Sequence, residues 1–297
     1  MTAGSEIGPE LLRAVPLPSL SAESDKEERG RVLVVAGGAA VPGAATLTGP
    51  AALRVGAGKL QLAATGQCAI ALGMAVPEAR IISTPMTPAG EIAGSDDLLA
   101  AAARSDAVIL GPGMMEGPGL SDLVERLVSA ADSATLVIDA AAMSVLRPEA
   151  AAVKAAAGRL VLTPHAGEMA TLLDRSKAQV LEDLAGAART LSARLNAVVV
   201  IKTGETYVVS PDGRAWRHAH GAPGLGTSGS GDVLAGVIGG LAARGAPPAV
   251  AAVWGVWLHA RAGARLSSSV GKLGFLAREL LGQLPGALED VGDASVD

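Results

Sequence analysis

Short runs of apolar, often β-branched residues recur along the chain between residues 31 and 201. Turn-forming residues bound each run, and this pattern is typical of strands that are buried on both faces of a sheet. The predicted strands are 31–36, 60–64, 80–83, 107–110, 135–138, 159–162 and 198–201. Segments of helical pattern separate them, at 44–55, 97–103, 120–131, 149–157 and 177–195. Strands that alternate with helices indicate an α/β fold, with a mostly parallel sheet covered by helices on both faces.

The pattern changes after residue 206. Two short segments, 207–209 and 215–218, flank the turn residues Pro211-Asp212-Gly213, which predicts a β-hairpin and an antiparallel edge of the sheet. Three further helices are predicted at 232–243, 248–266 and 274–284. Because no repeat or linker interrupts this pattern, we expect one domain over 30–285. Residues 1–29 are predicted to be a flexible N-terminal segment, and residues 286–297 a flexible C-terminal tail.

Small, polar or charged residues follow five of the predicted strands. They are Gly37-Gly38, Gly111-Pro112-Gly113, Asp139, Thr163-Pro164-His165 and Lys202-Thr203-Gly204. Any one of them could be an ordinary loop, since glycine and proline are common in turns. In open α/β sheets, however, ligands bind beyond the carboxyl ends of the strands. Five such ends on one edge of the sheet therefore predict a cleft of nucleotide size.

A glycine-rich turn, Gly229-Ser230-Gly231, precedes one acid, Asp232, and an apolar run of helical pattern. Backbone N–H groups at the start of a helix have no intrahelical partner and carry partial positive charge, so such a turn suits phosphate. A carboxylate at that place can take a proton from a hydroxyl that attacks phosphorus. The alternative is that Asp232 is an ordinary helix N-cap, a role that aspartate often fills.

The composition of the 297-residue chain narrows the class of protein. The net charge of −5 argues against a nucleic-acid-binding surface. The one cysteine, Cys68, excludes an intrachain disulfide framework and is expected to be a small buried hydrophobe. Arg244 and Pro247-Pro248 interrupt the longest apolar stretch, so no membrane span is predicted. Since residues 1–29 also lack the pattern of a signal peptide, we expect a soluble cytoplasmic protein.

The order of the motifs along the chain is that of a known family. The matching stretches are VLVVAGGAAVPGAATLTGPAALRVGAG, ILGPGM, LVIDA, VLTPHAGEMATLL, VVIKTGETYVVSPDGR, TSGSGDVLAGVIGGLAARG and LHARAGARL. With them the chain resembles the ADP-dependent NAD(P)H-hydrate dehydratase family of the ribokinase-like superfamily. The succession of TPHAGE, KTGET and GSGD is the specific part of this resemblance. It implies a ribokinase-like three-layer αβα sandwich.

The resemblance also implies repair of a hydrated nicotinamide cofactor. NADH or NADPH that has gained water carries a hydroxyl at carbon 6. The family phosphorylates this hydroxyl from ADP, and loss of the phosphate restores the double bond. Asp232 would be the base, and the N–H groups of Gly229, Ser230 and Gly231 would hold the transferring phosphate. The nucleotide would lie against Lys202, Thr203, Gly204, Glu205, Thr206 and Gly231. The hydrated cofactor would lie against Ala44, Gly113, His165 and Asp232.

Several of these residues also have a purely structural interpretation. Ala44 opens a predicted helix and would pack against the sheet, His165 would be a capping or core histidine, and Lys202 would be a solvated strand end. Two departures from the family pattern concern the rim of the pocket. Ala222 stands where an asparagine is usual, and Ala141 lies in a run that has lost an acid and an amide.

Magnesium is expected for phosphoryl transfer, with Glu168 and Asp139 as candidate ligands. The Ala-rich surface favours a homo-oligomer, and the resemblance implies functional pairing with a separate NAD(P)H-hydrate epimerase. Two other functions stay open. A ribokinase-like kinase for another small alcohol would share GSGD but not the TPHAGE and KTGET pair. A nucleotide-binding module without activity would have lost the base, whereas Asp232 is present.

Overall fold

The computed structural model describes residues 4–19, 25–219 and 221–291. Their strands form one sheet: β1 (Ser5–Glu6), β2 (Arg31–Val35), β3 (Lys59–Thr65), β4 (Ala79–Thr84), β5 (Ala107–Leu110), β6 (Thr135–Ile138), β7 (Leu160–Leu162), β8 (Val198–Lys202), β9 (Thr206–Val209) and β10 (Ala215–His218). Their order across the sheet is β1-β10-β9-β8-β7-β6-β5-β2-β3-β4. The pairs from β8 across to β4 are parallel.

The described helices are α1 (Pro9–Ala14), α2 (Ala44–Arg54), α3 (Gly66–Ala75), α4 (Asp96–Ala102), α5 (Leu120–Ala130), α6 (Ala141–Ser144), α7 (Ala151–Ala155), α8 (Ala166–Leu173), α9 (Lys177–Glu182), α10 (Leu184–Leu195), α11 (Ser230–Ala243), α12 (Pro248–Ser269) and α13 (Ala277–Glu289). Alternate residues of β2 face opposite sides of the sheet, since Val34 lies in one apolar core and Val35 in the other. Helices α2, α11, α12 and α13 cover the first core, and α4, α5, α8 and α10 cover the second. The predicted three-layer αβα sandwich is thereby confirmed.

The predicted antiparallel hairpin is present as β9 and β10. Val209 pairs with Ala215, and Tyr207 pairs with Arg217. The Asp212 carboxylate accepts a hydrogen bond from the Arg214 backbone N–H at 3.1 Å, which stabilises the turn between the two strands. β9 is also antiparallel to β8, so the sheet changes direction at this strand.

The N-terminal residues correct one prediction. The expected flexible segment over 1–29 is wrong for residues 5–14, because β1 adds to the sheet beside β10 and α1 follows it. Ile7 and Leu12 are fully buried in the first core, and the Trp254 indole donates a hydrogen bond to the carbonyl of Val15 at 2.8 Å. A strand of two residues carries no periodicity and therefore cannot be predicted from the hydrophobic pattern. Residues 1–3 and 20–24 lie outside the described residues.

Other differences concern helices. The predicted helix over 177–195 is two helices, because the Asp183 side chain accepts a hydrogen bond from the Gly186 N–H at 2.8 Å and caps the start of α10. Helices α3 and α8 were not predicted at all. The expected flexible tail over 286–297 is wrong for its first residues, since α13 runs to Glu289 and Val291 is buried. Residues 292–297 lie outside the described residues, and the single domain over 30–285 stays a prediction.

Helix α11 lies at the centre of the first core and packs closely on α2. Glycines of α11 allow this close approach, because a Cβ at Gly236 would lie 2.2 Å from the carbonyl oxygen of Thr48. A Cβ at Gly240 would likewise lie 2.5 Å from the carbonyl oxygen of Ala52. This contact fixes the start of α11 at the carboxyl edge of the sheet. Within the described residues, no helix has the length and apolar character that crossing a membrane requires.

Candidate active site

Helix α11 begins at the glycine-rich turn Gly229-Ser230-Gly231. Gly229 is its N-cap residue and has φ 85°, a left-handed conformation that any side chain disfavours. Ser230, Gly231 and Asp232 form the first turn, where N–H groups have no helical acceptor. The Ser230 N–H donates to the carbonyl of Thr227 at 3.3 Å. Of the three N–H groups predicted to hold phosphate, those of Gly229, Ser230 and Gly231, the Ser230 N–H is thus used within the turn. The N–H groups of Gly231 and Asp232 lie in the first turn of the helix and are the donors that we consider for an anion.

Asp232 is the third residue of α11, and the N-cap position belongs to Gly229. The alternative that Asp232 is the N-cap is therefore wrong. Burial raises the pKa of the half-buried Asp232 carboxyl to about 6, the negative charge of Asp139 adds to this effect, and the positive charge of Lys202 opposes it. A carboxyl group with this pKa is ionised at pH 7, yet it is a stronger base than an exposed aspartate.

Asp139 and Lys202 form an ion pair at the carboxyl ends of β6 and β8. The Lys202 ammonium lies 3.1 Å from Oδ1 of Asp139, and the buried Thr163 hydroxyl donates to the same oxygen at 2.5 Å. A Cβ at Gly231 would lie 3.1 Å from the Lys202 ammonium, so this cation sits directly beside the start of α11. The interpretation of Lys202 as a solvated strand end is wrong, because its charge is held in place by a buried carboxylate.

His165 is the N-cap residue of α8. Its Nδ1 accepts hydrogen bonds from the N–H groups of Gly167 and Glu168 at 3.0 and 3.1 Å, and the Glu168 carboxylate accepts from the His165 N–H at 2.8 Å. The capping interpretation of His165 is therefore confirmed. Its side chain is nevertheless 60% exposed and lines the large cavity described below, so the cap leaves one face of the ring open to a ligand.

Ala44 and Gly113 lie against each other, although Ala44 opens α2 and Gly113 lies in the loop after β5. A Cβ at Gly113 would lie only 2.4 Å from the Cβ of Ala44, and Gly113 has φ 65°, in the left-handed region. Ala44 is the first residue of α2 and is 2% exposed, which agrees with its interpretation as a packing residue. Any larger side chain at either position would push the loop after β5 away from α2.

A cavity of about 630 Å³ opens at the carboxyl edge of the sheet, beside the start of α11. Five of the six residues of the predicted nucleotide site line it, namely Lys202, Thr203, Gly204, Thr206 and Gly231. The sixth, Glu205, is not among the lining residues. Its carboxylate instead accepts two hydrogen bonds from the guanidinium group of Arg217, at 2.7 and 3.0 Å. Glu205 thus links the start of β9 to β10 and stabilises the end of the hairpin beside this cavity.

Sequence reasoning missed several residues of the cavity wall. His218, Leu225, Val256 and His259 line it, and only His259 lies in a stretch that carried the family resemblance. The His259 ring contacts Ser230, the first residue of α11, with Nε2 2.9 Å from the hydroxyl oxygen. A histidine within an otherwise apolar helical run was the one local signal for it. Nothing local marks His218, because it closes an ordinary β-strand.

A second cavity, of about 210 Å³, is lined by Ala140 and Ala141, which directly follow Asp139. Its wall contains Met114, Met143 and Leu172, together with the carboxyl-bearing side chains Glu116 and Glu168. Because Met114 directly follows Gly113 and Glu168 shares the cap of α8 with His165, this cavity continues from the residues predicted to hold the hydrated cofactor.

The two candidate magnesium ligands, Glu168 and Asp139, do not belong to a cluster of metal-binding side chains in the described part of the chain. Within the described ranges, no three His, Cys, Asp or Glu side chains lie close enough together to hold a metal ion. Glu168 belongs to the capping box of α8, and Asp139 is paired with Lys202. Magnesium at phosphoryl-transfer sites is commonly held by one or two carboxylates together with the phosphates of the nucleotide. Asp139, which lies close enough to Asp232 to raise its pKa, fits that arrangement.

The geometry thus places a half-buried carboxylate, a helix start and the ammonium of Lys202 close together. The family model for NAD(P)H-hydrate dehydratase matches residues 32–285 of the chain. The chain belongs to the NAD(P)H-hydrate dehydratase family. The match spans every element described above from β2 to the middle of α13.

Two relatives illustrate how far this dehydratase family likeness extends. An ADP-dependent (S)-NAD(P)H-hydrate dehydratase from Xanthomonas campestris is 48% identical over 280 residues, which are 94% of each chain. A bifunctional NAD(P)H-hydrate repair enzyme from Moorella thermoacetica is 38% identical over 93% of this chain. The match covers only 52% of the Moorella protein, so the chain spans about half the length of that bifunctional relative.

Two solved structures are similar to this chain in their fold. The ADP/ATP-dependent NAD(P)H-hydrate dehydratase from Bacillus subtilis, co-crystallised with ATP and Mg²⁺, has a TM-score of 0.79 and 27% identity. The match covers 98% of this chain and 100% of that one. A ribokinase-like superfamily protein from Enterococcus faecalis has a TM-score of 0.81 at 22% identity, with 97% of this chain and 96% of that chain covered. The second likeness shows the ribokinase-like fold alone.

Both departures from the dehydratase pattern lie on cavity walls. Ala222 lines the large cavity and precedes a short 3₁₀ turn, Pro223–Leu225. Ala141 lines the small cavity and follows Ala140, whose φ of 46° is unusual for a residue with a side chain. Neither position contacts the ion pair of Asp139 and Lys202 through a hydrogen bond, because an alanine side chain has no polar atom.

Proposed function

We propose that this chain is an ADP-dependent (S)-NAD(P)H-hydrate dehydratase, a hydro-lyase that restores NADH or NADPH from its hydrated form. The observation that carries the proposal is the place of Asp232. It lies in the first turn of α11, close enough to Lys202 and Asp139 for both charges to shift its pKa. A base, two backbone donors and a cation there meet the needs of phosphoryl transfer to a hydroxyl. The Xanthomonas relative bears the same activity in its name.

Asp232 takes the proton from the hydroxyl at carbon 6 of the hydrated ring. The hydroxyl oxygen forms a bond to the terminal phosphorus of ADP while the bond to the bridging oxygen breaks, so AMP leaves. The carbon–oxygen bond at carbon 6 then breaks, and its electron pair departs with phosphate. Loss of a proton from carbon 5 restores the ring double bond. The N–H groups of Gly231 and Asp232 and the ammonium of Lys202 bind the phosphoryl group during its transfer.

ADP occupies the 630 Å³ cavity, with its terminal phosphate at the start of α11 and its adenosine between the strand end Lys202–Thr206 and helix α12. Ala44, Gly113 and His165 receive the hydrated nicotinamide. The rest of the dinucleotide extends into the small cavity beyond Met114. Magnesium would neutralise phosphate charge when bound, and Asp139 is the residue that would hold it, directly or through water.

Two alternatives have less support. A kinase for another small alcohol would end with a stable phosphate ester and would not need the TPHAGE and KTGET segments that shape both cavities here. A binding module without activity would not need a half-buried carboxylate in the first turn of α11, where it opposes phosphate binding. We further propose a cytoplasmic protein that works alongside an NAD(P)H-hydrate epimerase. The similarity to the bifunctional NAD(P)H-hydrate repair enzyme from Moorella supports such a pairing of activities.

Self-association is part of the proposal. Ile70 and Met74 lie on α3 and are 82% and 80% exposed, a degree of exposure that is unusual for large apolar side chains. A homo-oligomer that buries this helix would remove them from water. Light scattering on the wild type and on Met74→Lys tests this point, with the variant expected to have the smaller mass.

The deciding experiment mixes the protein with hydrated NADH, ADP and magnesium, and follows the absorbance of reduced nicotinamide. We expect NADH, AMP and phosphate to appear in equal amounts. AMP without NADH would indicate a kinase that stops at the ester. ADP binding without either product would support the binding module.

A further inference from the structure

Helix α12 reaches the start of α11 through one side chain. Nε2 of His259 lies 2.9 Å from the hydroxyl oxygen of Ser230 and 3.0 Å from its carbonyl oxygen. The two residues are 29 positions apart in the chain, so the contact joins two helices rather than neighbours in one turn. His259 lies on the wall of the large cavity, and none of the roles assigned above uses it.

The protonation state of His259 follows from its surroundings. Burial lowers its pKa to about 4, the hydrogen bond to the Ser230 backbone acts against this shift, and the positive charge of Lys202 lowers the pKa further. The ring is therefore neutral at pH 7 and carries one N–H. A carbonyl oxygen can only accept, whereas the Ser230 hydroxyl can accept or donate, so an N–H on Nε2 is the assignment that suits both contacts. The Ser230 carbonyl is thus held by a donor from outside its own helix.

The Ser230 carbonyl belongs to the peptide unit whose N–H is that of Gly231. A peptide unit is planar and trans, so its C=O and N–H point in opposite directions and rotate together. Holding the carbonyl on His259 therefore sets the direction of the Gly231 N–H. Glycines on both sides of Ser230 leave this turn few restrictions of its own, and the first turn of a helix is where fraying occurs.

The geometry points to His259 as a positioning residue: by holding the Ser230 carbonyl, it aims the Gly231 N–H at the phosphoryl group that is transferred. This role rests on the proposed phosphoryl transfer at the same site. His259 does not touch the reacting atoms, and its effect passes through the backbone of Ser230. The group that accepts the hydrogen bond from the Gly231 N–H is the terminal phosphate of a nucleoside diphosphate.

Three variants separate this role from simple packing. His259→Leu keeps the bulk of the side chain but removes the donor, whereas His259→Gln can present an amide N–H at the place of Nε2. His218→Leu is the matched control, since His218 lines the same cavity but its Nδ1 contacts the carbonyl of Ile7 at 3.3 Å instead of Ser230. Calorimetry with ADP and with AMP gives the ratio of their affinities, and turnover of hydrated NADH gives kcat and KM.

We expect His259→Leu to lower the preference for ADP over AMP and to reduce kcat at least about 10-fold, since loss of one such donor costs about 10²–10³-fold. The KM for hydrated NADH should stay within about twofold, because Ala44 and Gly113, which are proposed to bind that substrate, do not line the cavity of His259. His259→Gln should recover most of both losses. His218→Leu should weaken ADP and AMP binding by the same factor and leave their ratio unchanged.

Removal of the Ser230 hydroxyl tests the path through the carbonyl. In Ser230→Ala the carbonyl is still present, so the loss caused by His259→Leu should persist in that background. If that loss disappears there, His259 acts through the hydroxyl and the proposal is wrong. Equal behaviour of His259→Leu and His259→Gln, or an unchanged ADP-to-AMP ratio, would also overturn it. If the wild type failed to turn over hydrated NADH, the proposed function would fall, while the ratio would still decide the role of His259.

Discussion

The Lys202 ammonium lies 3.1 Å from Oδ1 of Asp139, and the two charges act in opposite directions on Asp232. Asp139 raises the pKa of Asp232 and Lys202 lowers it, while burial is the largest cause of its rise to about 6. The pKa of Asp232 therefore depends on an ion pair to which Asp232 does not belong. With Asp232 as the proposed base, we expect both the activity and the stability of the chain to depend on pH.

The first prediction concerns the rate as a function of pH. Asp232 can act as a base only when it is ionised, so kcat/KM for hydrated NADH should fall below about pH 6, roughly tenfold for each further unit. Initial rates between pH 4.5 and 8 provide the measurement. An acid limb centred near pH 4 instead would mean that Asp232 has the pKa of an exposed aspartate.

The second prediction is that Asp232→Asn folds and binds ADP but turns over hydrated NADH at least about 100-fold more slowly. A positioned base contributes about 10²–10⁴-fold to a rate, and asparagine cannot accept the proton at neutral pH. Removal of a negative charge beside the phosphates should leave the Kd for ADP unchanged or smaller. The Kd and the rate are measured on one preparation, and a near-normal rate would contradict the assignment of the base.

The third prediction concerns the stability of the same variant. The pKa of Asp232 is raised on folding, so the folded state holds the proton more tightly, and ionisation above pH 6 costs stability. At pH 8 the free energy of unfolding of Asp232→Asn should therefore exceed that of the wild type by up to about 3 kcal/mol. The Tm of the variant should be correspondingly higher. The difference should shrink as the pH falls through 6 towards 4. Glu78→Gln, at an exposed position, is the control and should show no such trend.

The fourth prediction separates the two roles of His165. His165→Ala removes the cap of α8 and should lower stability by about 1 kcal/mol, whereas asparagine is a good N-cap and should keep most of it. Both variants lose the exposed face of the ring. If that face contacts the hydrated cofactor, both should raise the KM for it by a similar factor while the Kd for ADP stays constant. A raised KM in His165→Ala alone would show that the cap, not the ring, matters for the substrate.

The fifth prediction is that ADP supports a higher kcat/KM than ATP. The start of α11 and Lys202 fix where the transferred phosphate lies, so ATP would need its adenosine displaced by one phosphate within the cavity. Steady-state rates with each nucleotide at matched magnesium concentration give the comparison. Equal or better rates with ATP would refute the ADP preference, and the ADP/ATP-dependent Bacillus relative provides a reference for dual use.

The hydrophobic pattern alone was sufficient for the central strands and for the fold class. The strands β2, β5 and β6 are continuous apolar runs bounded by turn residues, and such runs report burial on both faces without any knowledge of their neighbours. The start of α11 at the GSGD turn was equally predictable from the sequence, because glycines before a helix act locally on the backbone conformation. The pattern failed for β1, which is two residues long and is held by its pairing with β10.

Tertiary structure decided how the site works. The ion pair of Lys202 and Asp139 joins positions 63 apart, and the contact of His259 with Ser230 joins positions 29 apart. Local periodicity reports which face of an element is buried, but it holds no information on which two polar groups meet across the fold. The pKa of Asp232 depends on both burial and those neighbours, so its value could not be predicted from the sequence. The hydrophobic pattern and the glycine-rich turn were enough to predict the central strands, the start of α11 and the place of Asp232 beside it. The packing of α11 and α12 against the strand ends set the charge environment of Asp232, because burial and charge act through space.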